Sequence, residues 1–472
     1  MKEQLFGRDE ECRLISKYLS SNKSEFVAVY GRRRVGKTFL LRRTLGDSLC
    51  FSFTGMANVT NAEQLQNFNI TLRQVMPEAR MSTNWQEAFA ELQHYMENCQ
   101  QETKVLLFDE LPWMDTPKSN FIPAFEHFWN AWASARSDIK LFVCGSAASW
   151  MLDNVINNHG GLHNRVTHEM YLPPFTIGQC KQYFDAYHFG YNDREIAEFY
   201  MVFGGIPYYL TLMDKELSVA QNIDRLIFAP RGELRKEKEN LFRSLFRHSE
   251  DYVAIIDAIS EKGKGLTRAE ILEATGLNNN MLFGKRLEEL EKCNFIRKYK
   301  DYSNRQRQTN YQLIDPLCHF WHAVVAKNQT QDEFFWTHSQ LSPVFNTWVG
   351  FAFEMLCLNH VQQMKQALGI SGMQTNVLSW RTPSDVSPSA QIDLLIDRAD
   401  RCVNLCEMKF SRGEYEISKT EREKIERRAM LFMQHAEPRK SIRLTMVTSF
   451  GLKHNTHSSI IQNELILADL LK

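Results

Sequence analysis

A glycine-rich segment near the N-terminus carries residues that could hold the phosphates of a nucleotide. Glycines allow backbone N–H groups to turn inward around phosphates, and a helix that follows them presents its positive end there. Lys37 can reach the β- and γ-phosphates, and the Thr38 hydroxyl can bind Mg²⁺. The segment fits the pattern GxxxxGK(S/T) completely and predicts ATP binding through Gly31, Arg32, Arg33, Arg34, Val35, Gly36, Lys37, Thr38 and Phe39.

Two adjacent carboxylates could complete this site for hydrolysis. Asp109 and Glu110 directly follow a short apolar run, 105–108, that is typical of a buried strand. Asp109 at the strand end would supply the second Mg²⁺ contact, and Glu110 would polarise the attacking water. The pair therefore predicts an ATPase in which Glu110 and Lys37 are catalytic. The alternative is that Glu110 serves only the structure.

The elements that must position these residues indicate an α/β fold. Three short apolar strands are predicted at 26–30, 105–108 and 141–144, and each stops at one of the polar motifs. Apolar strands without alternation, separated by helical stretches, are typical of a parallel sheet covered on both faces. Between the second and third strands, aromatic residues at helical spacing predict a helix buried on that sheet.

A second group of charged residues lies near the C-terminus. Asp393 stands in one predicted strand, and Glu407 and Lys409 end the next. In a hairpin the two carboxylates can converge on one divalent cation, with Lys409 orienting a water molecule and Glu354 as a further ligand. The same residues could instead form a salt-bridged pair on two strands.

The middle of the chain predicts helices followed by a small sheet. A highly charged helical run at 231–239 is suited to a linker. Three short helices at 252–259, 267–274 and 279–293, then strands at 295–300 and 308–314, are typical of a winged helix-turn-helix. Further along, we expect a helix at 344–368, strands at 373–380, 392–397 and 402–410, a helix at 417–437 and a strand at 441–448.

Basic residues are concentrated in the predicted winged helix. Between Met281 and Arg307 there are eight lysines and arginines against four acidic residues. Asn278, Asn279 and Asn280 would open the recognition helix, and Arg305 and Arg307 would lie at the tip of the wing, where they could contact DNA. A second interpretation remains open, in which the segment only joins two domains.

Composition is that of an ordinary globular protein. At 472 residues the chain is too long for one hydrophobic core, so we expect two or three domains. Lysine plus arginine balances aspartate plus glutamate at 56 each, so any nucleic-acid surface must be a local patch. The sequence has no signal-peptide pattern, no run long enough for a membrane span and no CxxC pair, so we expect a cytoplasmic protein with reduced thiols.

Several motifs together resemble the archaeal-type ATPases of the STAND/AAA+ group that carry a C-terminal DUF234 domain. The segment from Phe6 to Glu11 is similar to the family's FxGRxxE signature, and that from Gly204 to Leu210 is similar to its GGxPxYL element. The resemblance implies that Gly7, Arg8 and Pro207 lie near the adenine. It also implies that Ser146 is the polar sensor after the fourth strand, and therefore a catalytic residue.

The C-terminal segment resembles the core of PD-(D/E)xK nucleases in residue types and element order. The fold predicted for the whole chain is α/β, with a P-loop ATPase core at 1–173, a helical lid and linker at 174–235, a winged helix at 236–328 and a nuclease-like DUF234 domain at 329–472. ATP and Mg²⁺ are the expected cofactors, with Thr38, Asp109, Glu354, Asp393 and Glu407 as metal ligands and Lys409 as a catalytic residue.

Two hypotheses for the function of the whole chain remain open. In the first, an ATPase acts on DNA or is regulated by it, as a Mg²⁺-dependent nuclease if the C-terminal site cleaves. In the second, the chain is a signalling switch whose catalytically silent C-terminal domain binds a protein partner. Both allow a homo-oligomer, and neither involves a membrane.

Overall fold

The computed structural model describes residues 5–158, 160–246, 248–262, 265–302, 309–382, 386–387, 389–436 and 438–472. The chain divides into two compact units, Met1–Pro174 and Phe175–Lys472. None of the helices in these described ranges is long and apolar enough to cross a membrane.

The first unit is an alternation of strands and helices, as its apolar pattern predicts. Its strands are β1 (Glu25–Tyr30), β2 (Leu49–Thr54), β3 (Lys104–Asp109), β4 (Ile139–Gly145) and β5 (His168–Tyr171). Its helices are α1 (Asp9–Leu19), α2 (Lys37–Leu45), α3 (Asn61–Val75), α4 (Trp85–Asn98), α5 (Phe121–Ala131) and α6 (Ala148–Met151).

The five strands form one parallel sheet in the order β2-β3-β4-β1-β5. The prediction of a parallel sheet is confirmed, and its three continuous apolar strands are the central ones, β3, β4 and β1. Helix α5 buries its aromatic stripe, with Phe121, Phe125 and Trp129 in the core. Strand β2 was not predicted; its six residues, LCFSFT, mix apolar and polar side chains, and it lies at the edge of the sheet.

The second unit contains helices and two larger sheets. Its helices are α7 (Ile177–Ala186), α8 (Asp193–Phe203), α9 (Pro207–Thr211), α10 (Val219–Ile223), α11 (Glu237–Leu245), α12 (Ser249–Lys262), α13 (Arg268–Thr275), α14 (Met281–Lys292), α15 (Pro316–Phe320), α16 (Phe335–Ser339), α17 (Pro343–Asn359), α18 (Val361–Ala367), α19 (Lys419–Ala436) and α20 (Leu467–Leu470). Its strands are β6 (Leu266–Thr267), β7 (Ile296–Lys300), β8 (Thr309–Leu313), β9 (Thr375–Arg381), β10 (Gln391–Arg398), β11 (Cys402–Lys409), β12 (Tyr415–Glu416), β13 (Ser441–Thr448), β14 (Leu452–Lys453) and β15 (Asn463–Ile466).

The charged run at 231–239 is not the continuous helix that its composition predicts. Helix α11 begins only at Glu237, and the residues before it form turns. Glu237 is 2% exposed and accepts a hydrogen bond of 2.8 Å from the Tyr209 hydroxyl, while Lys238 forms an ion pair with Asp257. Burial with specific partners, which composition does not reveal, replaces the expected solvated helix.

The small sheet of the second unit has the order β6-β8-β7 with antiparallel pairs. The three helices predicted around it are present as α12, α13 and α14, and both predicted strands are present as β7 and β8. Just beyond β7, Asp301 bridges to Ser379 of β9, and the Tyr302 N–H donates to the Ser379 carbonyl at 2.8 Å. This end of the small sheet is therefore attached to the larger one.

The larger sheet has the order β15-β13-β11-β10-β9. Strands β9, β10 and β11 pair antiparallel, whereas β11, β13 and β15 pair parallel, with α19 between β11 and β13. The helix predicted at 344–368 is instead two helices, α17 and α18, with a break at His360. The buried imidazole of His360 hydrogen-bonds to the Leu356 carbonyl at 2.7 Å and accepts from the Ile177 N–H at 2.9 Å, which fixes the chain at this break.

Candidate functional site

Two glycines in the phosphate loop occupy positions that disfavour a side chain, for different reasons. Gly31 follows β1 with φ of 153°, and a Cβ atom there would lie 2.4 Å from the Leu172 carbonyl oxygen. Gly36 has φ of 89° and stands directly before α2, in the left-handed region that glycine adopts at little cost. These positions let the backbone turn from β1 into α2 within a few residues.

Lys37, the first residue of α2, points its ammonium group back across this turn. The Nζ atom donates to the carbonyls of Gly31 and Arg32, each at 3.0 Å, and the side chain is only 5% exposed. The ammonium group and the N-terminus of α2 therefore lie on the same side of the loop, which is the arrangement that binds a polyphosphate.

The other loop residues have distinct surroundings. Arg32 and Val35 are buried, Arg33 and Phe39 are exposed, and Arg34 has a positive φ of 71°. Of these predicted ATP-binding residues, Arg33 is the arginine whose side chain is most accessible to a ligand in solution.

Asp109 ends β3 and is surrounded by neutral hydrogen-bond donors. Its Oδ1 atom accepts from the Thr38 hydroxyl at 3.0 Å and from the Cys144 thiol at 2.5 Å, and the side chain is 2% exposed. Burial raises the pKa of Cys144 well above its usual range, so this thiol keeps the proton that it donates. The two predicted metal ligands of this site, Thr38 and Asp109, are therefore in direct contact, and their oxygens suit Mg²⁺.

Cys144 was missed as a site residue. The only signal in the sequence is its position at the end of a predicted strand, next to Gly145 and Ser146. An apolar strand that ends in a thiol is ordinary core sequence, and only the neighbouring strand reveals the carboxylate that it contacts.

Glu110 is held by the next polar residue along the sheet edge. Its backbone has a φ of 52°, and its Oε2 atom accepts from the Ser146 hydroxyl at 2.9 Å and the Ser146 N–H at 3.2 Å. The structure thus brings Glu110 and Ser146 together at the ends of β3 and β4, in the same unit as the phosphate loop.

Arg8 is buried beside the phosphate loop. Its guanidinium donates to the Pro173 carbonyl at 2.7 Å and the Val35 carbonyl at 3.4 Å, and it pairs with Glu11 at 3.2 Å. Gly7, directly before it, has a φ of 57°. Pro207 belongs to the second unit, where it is the first residue of α9.

The predicted C-terminal residues lie at one end of the larger sheet. Leu394 pairs with Cys406 across the β10–β11 hairpin, so the adjacent residues Asp393 and Glu407 follow at the same end. Burial, together with the negative charges of Asp393 and Glu407, raises the pKa of Glu354 on α17 to about 8. The three carboxylates are therefore near enough to influence one another's charge.

Two cations compensate one of these carboxylates. Arg428 of α19 binds both oxygens of Glu407, with a distance of 3.3 Å to Oε1, and Lys409 reaches Oε1 at 2.8 Å. Burial acts to lower the pKa of Lys409, but the charge and hydrogen bond of Glu407, together with Glu421 and Tyr415, outweigh it and the pKa is raised. Arg428 was missed, because nothing in its helical context links it to a strand 21 residues earlier. In the parts of the chain that the structure describes, no group of three or more His, Cys, Asp or Glu residues is arranged to hold a metal ion.

Most described cations of the predicted winged helix have partners within the chain. Arg286 pairs with Asp251, Lys292 with Glu288 at 3.0 Å, and Lys298 with Glu291. Arg297 is buried, which lowers its pKa to about 10, and donates to the Gln312 side chain at 3.0 Å and the Leu358 carbonyl at 3.2 Å.

The asparagines at the start of α14 also have structural roles. The Asn280 side chain caps the helix by accepting from the Phe283 N–H at 2.9 Å, and Asn279 accepts from Arg268, also at 2.9 Å. Asn278, which precedes them, lies outside the helix. Arg305 and Arg307 lie outside the described residues.

Comparison with known proteins identifies the N-terminal part of the chain. Residues 5–213 match a family described as an ATPase domain predominantly from Archaea. The uncharacterized protein MJECL04 of Methanocaldococcus jannaschii is 24% identical over 353 residues, which are 74% of this chain and 75% of that protein.

Two solved structures are similar to part of the chain. The Walker-type ATPase PABY2304 of Pyrococcus abyssi has a TM-score of 0.48 at 20% identity, covering 68% of this chain and 97% of its own. The ORC2 protein of Aeropyrum pernix has a TM-score of 0.38 at 12% identity, covering 76% and 96%. The family match over 5–213 and the phosphate loop within it establish that the chain is an ATPase.

Proposed function

We propose that ATP hydrolysis depends on five side chains at the edge of the parallel sheet. Lys37 contacts the β- and γ-phosphates, Thr38 and Asp109 hold Mg²⁺, and Glu110 takes a proton from the attacking water. Ser146 positions Glu110 through the bond of 2.9 Å. Bound Mg²⁺ neutralises charge on the phosphates. The contact of 3.0 Å between Thr38 and Asp109 supports this assignment, since both ligands already face one point.

The second unit, in this proposal, makes the ATPase act on DNA as a divalent-cation-dependent nuclease. The observation that carries the proposal is the mutual proximity of Glu354, Asp393 and Glu407, expressed in the raised pKa of Glu354. Carboxylates that repel one another gain from a shared divalent cation, which would activate water next to a phosphodiester. The order α17, β9, β10, β11, α19, β13 supports a PD-(D/E)xK-like core, and Lys409 beside Glu407 supports its role in orienting that water.

Cleavage of DNA by the full chain tests this proposal. We expect Mg²⁺- or Mn²⁺-dependent nicking of plasmid DNA by the wild type and its loss in Asp393→Asn, while ATP hydrolysis continues in both. Lys409→Ala should keep cation binding but lose cleavage. Asp400→Asn, a charge-matched control on the turn after β10, should cleave normally. Absence of cleavage by the wild type at millimolar Mn²⁺, with and without ATP, would contradict the proposal.

The proposal also includes contact between DNA and the winged-helix-like segment. Because Arg286, Lys292, Arg297 and Lys298 are engaged within the chain, phosphate contacts would depend on Arg305 and Arg307. Each lost phosphate contact lowers the salt dependence of binding by about one unit of slope. Replacing both arginines with alanine should therefore reduce that slope by about two. An unchanged slope would leave the segment as a domain connector.

The ion pairs that Arg428 and Lys409 form with Glu407 favour a second candidate function. A carboxylate already bound by Arg428 and Lys409 has less charge to offer a cation, as in a domain that keeps the fold without cleavage. The chain would then be a signalling switch in which the bound nucleotide controls assembly or partner binding. Light scattering of the wild type with ADP and with ATP decides this point: a nucleotide-dependent change in mass without DNA cleavage supports the switch.

A further inference from the structure

A small buried cavity lies in the second unit where α12, α15, α17 and β8 meet. Its volume is about 30 Å³, which is room for one water molecule or one ion. Four of the residues that line it carry polar groups: Ser260, Gln312, His319 and Glu354. They come from four different elements, so the cavity depends on tertiary packing and has no motif in the sequence.

Two of these polar groups lack a partner among the described residues. The Ser260 hydroxyl and the His319 Nε2 atom are both buried and form no hydrogen bond there, although the two side chains are only 7% and 6% exposed. Buried polar atoms are rarely left unpaired, because desolvation is then uncompensated. Two such atoms on the wall of one cavity indicate that a small polar species occupies it.

The buried, neutral imidazole of His319 suits the role of a metal ligand. Burial lowers its pKa to about 4, so the imidazole is neutral at physiological pH, which is the form that binds metals. The Trp348 backbone hydrogen-bonds to the imidazole and acts to raise its pKa, as a carbonyl acceptor does. Because Nε2 has no partner among the described residues, it is the ring nitrogen that is available to a ligand.

We propose that this cavity binds one divalent transition-metal cation, such as Zn²⁺, Co²⁺ or Mn²⁺, through His319 Nε2 and the Glu354 carboxylate. The Ser260 hydroxyl or water completes the coordination. An imidazole nitrogen together with a carboxylate is a ligand set that selects transition metals over Mg²⁺ or Ca²⁺. A single water molecule would satisfy the hydroxyl and the imidazole, whereas a divalent cation would also offset the repulsion that Asp393 and Glu407 exert on the Glu354 carboxylate.

Cobalt titration of the metal-free, nucleotide-free full chain tests the proposal, because Co²⁺ bound by nitrogen and oxygen ligands has a visible absorption spectrum. We expect a Co²⁺ site in the wild-type chain whose affinity is at least about tenfold lower in His319→Gln. His322→Gln is the matched control: that histidine is three residues away and pairs with Glu261 at 2.6 Å, and its loss should leave the cobalt spectrum unchanged. Equal affinity in the wild type and His319→Gln would overturn the site.

A second measurement covers the case in which His319→Gln is poorly folded. Co²⁺ should raise the melting temperature of the wild type and His322→Gln but raise that of Ser260→Ala less. No binding by the wild type at 1 mM Co²⁺, with no change in melting temperature, would assign the cavity to a structural water. Glu354 is shared with the proposed nuclease site, yet this site does not require cleavage. Cobalt binding that persists in Asp393→Asn, in a chain that does not cut DNA, would separate the two proposals.

Discussion

The phosphate-loop site and the C-terminal site both contain carboxylates, but the partners that hold these carboxylates in place differ between the two sites. Asp109 and Glu110 accept hydrogen bonds from the Thr38 hydroxyl, the Cys144 thiol and Ser146, and none of these donors carries a positive charge. Glu407 instead binds Arg428 and Lys409, which compensate its charge. Hydrogen bonds from neutral donors orient a carboxylate without cancelling its charge. The first site is therefore prepared for Mg²⁺, whereas in the second a cation must compete with two side chains.

The largest effect should come from the carboxylate that takes the proton of water. Glu110→Gln keeps the shape and the contact with Ser146 but removes the base, so we expect ATP hydrolysis to fall by about 10²–10⁴-fold. ATP binding should remain near the wild-type level. Steady-state phosphate release and calorimetry measure the two quantities, with Glu102→Gln on the exposed loop before β3 as the charge-matched control. Wild-type turnover in Glu110→Gln would show that Glu110 has only a structural role.

The two regions should also respond differently to acid. His360, buried in the second unit, has its pKa lowered to about 4 by burial. A histidine with a lowered folded-state pKa supports folding above its unfolded value of about 6.5, and this support is lost as the pH falls toward 4. Between pH 7 and pH 5 the loss amounts to about 2 kcal/mol.

Urea unfolding at pH 7 and pH 5, followed by a probe in the second unit, measures this loss. His360→Gln should lower stability at pH 7 and should show a pH dependence smaller by about 2 kcal/mol than that of the wild type. His454→Gln, at an exposed position, should retain the wild-type pH dependence. An unchanged pH dependence in His360→Gln would show that other groups govern the acid response.

Removal of the loop lysine should have the next largest effect. Lys37→Ala deletes the ammonium group that neutralises the β- and γ-phosphates, and we expect ATP affinity to fall by about tenfold or more. Arg43→Ala removes an exposed charge further along α2 and should bind ATP normally. Calorimetric titration with ATP compares the two. Equal affinity in Lys37→Ala and the wild type would place nucleotide binding elsewhere in the first unit.

The sequence predicted the first region well because its chemistry is local. Eight consecutive residues contain both glycines, Lys37 and Thr38, and the strand before Asp109 is continuously apolar, so a motif and a hydrophobic pattern suffice. Cys144 escaped prediction because its contact with Asp109 exists only between neighbouring strands. A sequence pattern therefore reveals a site whose residues are close together along the chain, but it does not reveal a contact between residues that are far apart along the chain.

The second region was predicted less completely, for the same physical reason. Its hairpin and helices followed from periodicity, but the break at His360 depends on a hydrogen bond from Ile177, far away in sequence. The charged run at 231–239 was misjudged because Glu237 is buried against Tyr209. A sequence pattern predicts that charged residues face the solvent. Tertiary contacts that bury a charged residue, such as that between Glu237 and Tyr209, are not visible in the pattern.

The smallest expected effect comes from removing a cation that pairs with Glu407, because such cations distinguish the C-terminal site from the phosphate-loop site. Arg428→Gln removes one of the two cations from Glu407, so a divalent cation near Asp393 and Glu407 no longer competes with the guanidinium. The ion pair is partly exposed and contributes about 1 kcal/mol at most, so we expect Mn²⁺ affinity to rise by about fivefold.

Arg427→Gln removes the same charge from an exposed position on α19 and should leave the affinity unchanged. Calorimetric titration of the nucleotide-free full chains with Mn²⁺ distinguishes them. If Arg428→Gln binds Mn²⁺ no more tightly than Arg427→Gln, Glu407 is a structural partner of α19. The C-terminal carboxylates would then lack the free charge that Asp109 and Glu110 possess.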